Sequence, residues 1–244
     1  MALNPRQMAS MQAQERLRAA EQQGLIDQGL RAYMLRVYNY MTGGVALTGL
    51  VAYAVAQSPA LLNAIHGSGL GIVVALAPLG FILALSFGIN RMSTGMAQIL
   101  FWSFAGVMGL SLSWIFIAYT GYSIAQTFFV TAAAFAGLSL WGYSTKKNLS
   151  GFGTFLVMGL IGLIIAMVVN IFLQSAMMQF VISGAGVLIF AGLTAYDTQR
   201  IKLTYYEGDG AAVAEKKAIM GATNLYLDFI NLFMFLLQFM GNRD

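Results

Sequence analysis

The chain has 244 residues, of which 59% are hydrophobic and only 9% charged. A soluble domain carries about 25% charged residues, so this composition is that of an integral membrane protein. With no cysteine, disulfides, thiolate metal sites and cysteine nucleophiles are excluded. The net charge of +4 comes from basic residues between apolar runs. They read as topology signals and lipid headgroup contacts rather than as a surface for nucleic acid.

In chain order, residues 1–36 form a polar tail with Arg6, Glu15, Arg16, Arg18, Glu21, Asp27, Arg31 and Arg36. No short apolar region follows a basic start, so no cleavable signal peptide is expected. Leu17, Leu25, Leu30 and Met34 make a loose helical stripe that suits a membrane surface; a partly disordered solvated tail fits equally. Seven segments then have the roughly 20 apolar residues a span needs: 37–56, 70–89, 96–118, 122–143, 152–173, 176–196 and 218–240. The connections are short, which predicts one all-α transmembrane domain over 37–240 and no separate soluble domain. No internal repeat stands out, which weakens an inverted-repeat transporter reading. In span 2, Pro78 is expected to kink the helix. Gly80, Ala84 and Gly88 form a series of small residues through which another helix could approach closely.

The charges orient the chain. Twelve of the thirteen Lys and Arg precede span 1 or follow spans 2, 4 and 6, and only Arg243 falls on the other side. The positive-inside rule makes the basic face cytoplasmic, with the N-terminus inside and the C-terminus outside.

Two aspartates, Asp197 and Asp228, sit in stretches that otherwise read as membrane helix. A carboxylate in hydrocarbon is costly and usually faces a bundle interior or a water-filled path with a partner. If the two meet, both cannot ionise cheaply in a low-dielectric site, so the pair shares a proton. That proton would tie span 6 to span 7, and its loss would leave two repelling charges: a latch closed by acid and loosened by base. Arg91, at the end of span 2 on the same side, could receive Asp197 once the pair breaks; a plain snorkelling anchor is its other reading. Asp197 could instead pair with Arg200, three residues along the same helix. Asp228 could be neutral and held by Asn231 or a tyrosine. On straight helices the two aspartates fall at unequal depths, a gap that helix tilt or a longer span 6 would close.

Tyr-Asp-Thr-Gln at 196–199 and Leu-Tyr-Leu-Asp-Phe-Ile-Asn-Leu-Phe at 225–233 resemble the Bax inhibitor-1 (transmembrane Bax inhibitor motif) family in its bacterial form. The basic loop Lys146-Lys147-Asn148-Leu149-Ser150 is similar to the family's at that place. The resemblance covers the chain from about residue 30 to the end. It implies a seven-helix fold with span 7 central, placement in the bacterial inner membrane, and a pH-sensitive calcium leak gated by an aspartate pair. Asp197 and Asp228 match the pair, and Arg91 falls where the family's switching arginine lies. Tyr196, Asn170 and Asn231 are candidates to line an ion path or to support the aspartates.

Calcium takes six to eight oxygen ligands. Two carboxylates with amides such as Asn170, Gln174 and Asn231 suit weak, transient calcium contact and a slow leak, with protons as a second candidate cargo. No cofactor is implied. The only histidine, His66, lies in the loop after span 1, away from the aspartates, which removes serine–histidine proteolysis, haem and zinc. Every lysine is in a loop, so there is no retinal Schiff base. Gly67-Ser-Gly69-Leu-Gly71 has no strand before it and reads as a turn rather than a phosphate loop. Asp228 is followed by Phe229 and Ile230, unlike the glycine motif of intramembrane aspartyl proteases. The chain is therefore not expected to be an enzyme. A second reading stands beside the leak: a non-conducting membrane protein that binds other membrane proteins, through its tail or the 200–217 loop, to regulate stress responses or a membrane protease.

Overall fold

The computed structural model describes residues 5–242, with side chains described from Ile26 onward. The side chains of Arg6, Glu15, Arg16, Leu17, Arg18, Glu21 and Leu25, and all of Arg243 and Asp244, lie outside the described residues. What is described is helical: α1 (Pro5–Ala56), α2 (Pro59–His66), α3 (Leu70–Gly88), α4 (Thr94–Leu112), α5 (Ile115–Ala118), α6 (Gly121–Ser144), α7 (Ser150–Leu173), α8 (Ala176–Thr204) and α9 (Ala211–Met240). Among the described residues six segments are long and apolar enough to cross a membrane: α3, α4 together with α5, α6, α7, α8 and α9. A seventh span arises only if α1 and α2, bent by 105° at the break between them, count as one.

Local chemistry sets the helix ends. The hydroxyls of Ser58, Ser93, Thr120 and Ser175 each accept a backbone N–H from the first turn of the following helix, as N-caps do. Pro59 opens α2 where its missing N–H costs nothing. α7 ends on Gln174 with φ 49°, a left-handed C-terminal position that lets the chain turn sharply into α8. The polar tail is continuous with the first span, since α1 runs unbroken through residue 36. Tyr33, Met34 and Val37 are already in the core.

α9 is the hub. Two-thirds of its most apolar stretch is buried, against about a tenth for α3, and it packs on α1, α4, α6 and α8. A helix with apolar residues all round can be buried all round, and Leu225, Tyr226, Phe229, Ile230, Leu232 and Phe233 supply that surface. α3 lies outside on α4, and α7 lies outside on α8.

The close helix approaches differ from those the small-residue series in span 2 predicts. A Cβ placed on Gly80 would meet nothing within 4 Å, and one on Gly88 would meet only Met92 in its own following turn. Membrane-helix surfaces facing lipid tolerate small residues without using them, so the pattern alone does not make an interface. The tight approaches are elsewhere. A Cβ on Gly142 would overlap the Ala195 carbonyl, seating α6 on α8, and one on Gly109 would overlap Thr48 and Val51, seating α4 on α1. α3 runs through Pro78 as one helix.

Candidate functional site

Four consecutive residues of α8 reach four different neighbours. An α-helix turns about 100° per residue, so a run of four polar or aromatic residues covers its whole circumference. Tyr196 lies against α7, where a Cβ on Gly153 would overlap its ring. Asp197 faces α9. Thr198 shares a 2.9 Å hydrogen bond with Ser139 of α6. Gln199 accepts from the Leu149 backbone N–H and donates to the Lys147 carbonyl, both at 2.8 Å, fixing the loop before α7. The YDTQ segment is thus the joint at which three helices and a loop meet.

The two carboxyl groups line the same cavity and lie near enough to act on each other electrostatically. Asp228 is only 4% exposed, and among the described residues no donor reaches its Oδ2. An unpartnered buried acceptor costs on the order of 1–3 kcal/mol, more if charged. The facing group, another carboxyl, is also an acceptor when ionised. Only a proton on one of the two turns this contact into a hydrogen bond. Asp197, at 15% side-chain exposure, also has Arg200 Nη1 3.7 Å from its Oδ1. The pairing along α8 and the pairing across to α9 therefore coexist.

The depth difference narrows because α8 runs on to Thr204 and α9 begins well before residue 218. The Lys217 ammonium donates to the Thr204 carbonyl at 3.1 Å, which sets those residues at one level. From there Asp197 is seven residues along α8 and Asp228 eleven along α9, about one helical turn apart in depth.

Both aspartates line a cavity of about 400 Å³ between α7, α8 and α9, together with Tyr196, Arg200, Asn224 and Asn231. At one end Phe190 and Phe235 stack with ring centroids 5.7 Å apart. At the other, Arg200 and Asn224 also line a second cavity of about 340 Å³ that reaches Asn90, Lys216 and Lys217 on the basic face. Among the described residues no group of three or more His, Cys, Asp or Glu side chains is placed to hold a metal ion.

Residues 30–244 match the family model described as inhibitor of apoptosis-promoting Bax1. The chain belongs to the Bax inhibitor-1 family. Among its relatives, the Escherichia coli inner membrane protein YbhL is 44% identical over 218 residues, 88% of this chain and 93% of that one. An uncharacterized protein of Caulobacter vibrioides is 49% identical over 231 residues (90% and 92%). One from Rickettsia prowazekii is 48% identical over 217 residues (89% and 92%). With its apolar helices, this Bax inhibitor-1 family chain is a multi-pass protein of the bacterial inner membrane.

The remaining sequence candidates of this family member fall in different places. Asn231 lies on the aspartate cavity, with its Nδ2 donating to the Leu227 carbonyl at 2.8 Å. Asn170 does not reach the aspartates. It sits at the far end of α7, accepting from the Ser175 N–H and donating to Gln179, which in turn donates to Gln238 on α9. Arg91 lies exposed on the turn between α3 and α4. It makes no ion pair with any described residue, and Arg200 is the cation beside Asp197. His66 Nε2 bonds Ser113 Oγ at 2.8 Å, pinning α2 to the break between α4 and α5.

Sequence reasoning missed Glu215. Its Oε1 accepts from Tyr40 Oη (2.5 Å) and Gln98 Nε2 (3.2 Å), and its Oε2 from Arg36 Nη1 (2.8 Å). One carboxylate thereby joins α1, α4 and α9 at the basic face. No short-range signal marks it, because its partners are 117 to 179 residues away.

Proposed function

We propose that this Bax inhibitor-1 family member is a pH-sensitive leak for calcium, with protons as a second cargo, whose closed state is held by one proton shared between Asp197 and Asp228. The observation that carries this reading is the buried Asp228 Oδ2 with no protein donor, facing a second carboxyl on the wall of a cavity. The basic face is taken as cytoplasmic under the positive-inside rule. Below the range in which the pair gives up its proton, the bond ties α8 to α9. Above it, two like charges repel, and a carboxylate pair is exposed to a hydrated cavity where a divalent cation is a favourable visitor. Two acids and a few amides give calcium only weak, transient contact, which fits a leak and not a selective pore. Arg200 is placed to hold Asp197 after the pair parts. Arg91 follows Asn90, which lines the second cavity opposite Arg200, so a shift of the α3 end would bring it into play as a second receiver.

The test is reconstitution of the purified chain in liposomes loaded with a calcium dye. Flux should rise with pH, and Asp197→Asn or Asp228→Asn should flatten that rise. Absence of flux at every pH, with both variants indistinguishable from wild type, would overturn the leak and leave the non-conducting membrane interaction protein as the reading to pursue.

A further inference from the structure

A cavity larger than the aspartate site lies elsewhere in the bundle. It is a groove of about 690 Å³ on the opposite side of α9, between α1 and α6, with Phe229 at its floor. Along the groove the two helices stand apart. The walls are Met34, Met41 and Val45 from α1 and Phe128, Ala132 and Ala136 from α6. Its central polar groups are spent internally: Tyr38 Oη and Ser139 Oγ bond each other at 2.6 Å, and Ser139 also bonds Thr198. Apart from Thr42, whose hydroxyl makes only a 3.9 Å contact to the Met41 sulfur, an occupant meets hydrocarbon walls, so a polar solute gains little there.

The ends of the groove define its occupant. Lining residues on α1 run from Arg31 to Ala46, about 22 Å at 1.5 Å per residue. Its apolar part, Met34 to Ala46, is about 18 Å long, close to one leaflet of a hydrocarbon core about 30 Å thick. The basic end carries two cations. Arg31 lines the mouth. Lys202 Nζ stands 4.7 Å over the ring of Tyr143, another lining residue, and donates to its carbonyl at 2.8 Å. Neither forms an ion pair with a described carboxylate, in contrast to Arg36, Arg200 and Lys217. A leaflet-deep apolar furrow capped by two cations that have no carboxylate partner among the described residues is complementary to one class of molecule.

We infer that the groove between α1 and α6 is a binding site for an anionic phospholipid of the leaflet at the basic face, with an acyl chain along Met34–Ala46 and the headgroup phosphate between Arg31 and Lys202. Anionic lipid and basic residues at that surface attract each other, and the furrow adds the contact of an ordered chain. A smaller cavity of about 280 Å³, lined by Thr48, Ala52 and Ile124, shares Val45, Phe128 and Phe229 with the groove and continues it toward the opposite face. The Tyr38–Ser139–Thr198 hydrogen bonds run from this site to the residue beside Asp197.

Native mass spectrometry of the full chain released from detergent, titrated with phosphatidylglycerol or phosphatidylcholine, tests this without reading ion flux. Phosphatidylglycerol should be retained about tenfold more tightly than phosphatidylcholine. The double variant Arg31→Gln/Lys202→Gln should bring that ratio close to one. Ala136 is exposed at the groove, so Ala136→Trp fills the furrow from its open side and should remove the retained lipid while charge is unchanged. Leu140→Trp, on the exposed rim, serves the same purpose if the first variant does not elute as a folded monodisperse protein. Retention that is equal for both lipids and unchanged in all variants would mean annular lipid only and overturn the site. A dimer in the spectrum that the Trp variant dissolves would overturn it in favour of a second copy of the chain.

Discussion

Glu215 and the Asp197–Asp228 pair both attach α9 to its neighbours, yet they solve the problem of a carboxylate near hydrocarbon in opposite ways. Glu215 receives Tyr40, Gln98 and Arg36, so its charge is matched by three donors. Asp228 receives none at Oδ2 and faces another carboxyl. A carboxylate with full hydrogen bonding is a permanent clamp, indifferent to pH over the physiological range. A carboxyl that lacks donors must recruit a proton, and its bond then lasts only while that proton stays. The difference lies in the number of donors, not in burial alone, and on the proposed mechanism it is what would separate a structural joint from a switchable one.

The sharpest way to break the contrast is Asp228→Asn. Its amide would donate to Asp197 with no titrating proton, so the tie persists at all pH. In liposome assays a leak linked to one proton, as proposed, would change at most about tenfold per pH unit, and the variant should vary less than about twofold between pH 6 and 8. The sign follows from linkage: the folded, closed state binds the extra proton, so its advantage is present in acid and lost as pH rises.

Next in size is Glu215→Ala, which strands Tyr40, Gln98 and Arg36 together. It should lower stability by about 1–3 kcal/mol, read as a fall in Tm in detergent, with the pH profile of flux retained. A flattened pH profile here would erase the distinction between the two sites.

Thr198→Val removes the Ser139 bond beside the aspartate pair and should cost about 1 kcal/mol, again by thermal unfolding. The smallest effects compare two arginines. Arg200→Ala removes the cation 3.7 Å from Asp197 and should raise the pH of half-maximal flux by a few tenths of a unit, as a partly exposed ion pair does. Arg91→Ala touches no ion pair and should leave stability within about 0.5 kcal/mol. If Arg91→Ala shifts the flux midpoint more than Arg200→Ala, the order of the two receivers is reversed.

Which parts were readable in advance follows from the range of the interactions. The aspartates stood out because a charge inside an apolar run is conspicuous whatever it touches. Helix positions followed from hydropathy, except where a polar stretch continued a helix: α1 through residue 36, and α8 past Arg200 to Thr204. The roles of Thr198 and Gln199 were invisible, since Ser139 and Leu149 are 59 and 50 residues away. Glu215 was hidden in Ala-Glu-Lys-Lys, which reads as a solvated loop. Glycine spacing misled in α3, where no helix uses the series, while Gly142 and Gly153, outside any such reading, seat α6 and α7 on α8.

By itself the sequence determined that this chain lives in a membrane, roughly where it crosses, and that two carboxyl groups inside it need an explanation. Those are consequences of transfer energies, which depend on residue type and count. Only the tertiary structure decided that the carboxyls face each other, that Asn170 belongs to the far end of α7, that Arg200 and not Arg91 stands beside Asp197, and that α1 and α6 leave a furrow. Hydrogen bonds and close approaches form between atoms a few Å apart, and distance along a chain does not record which helices the fold will bring together.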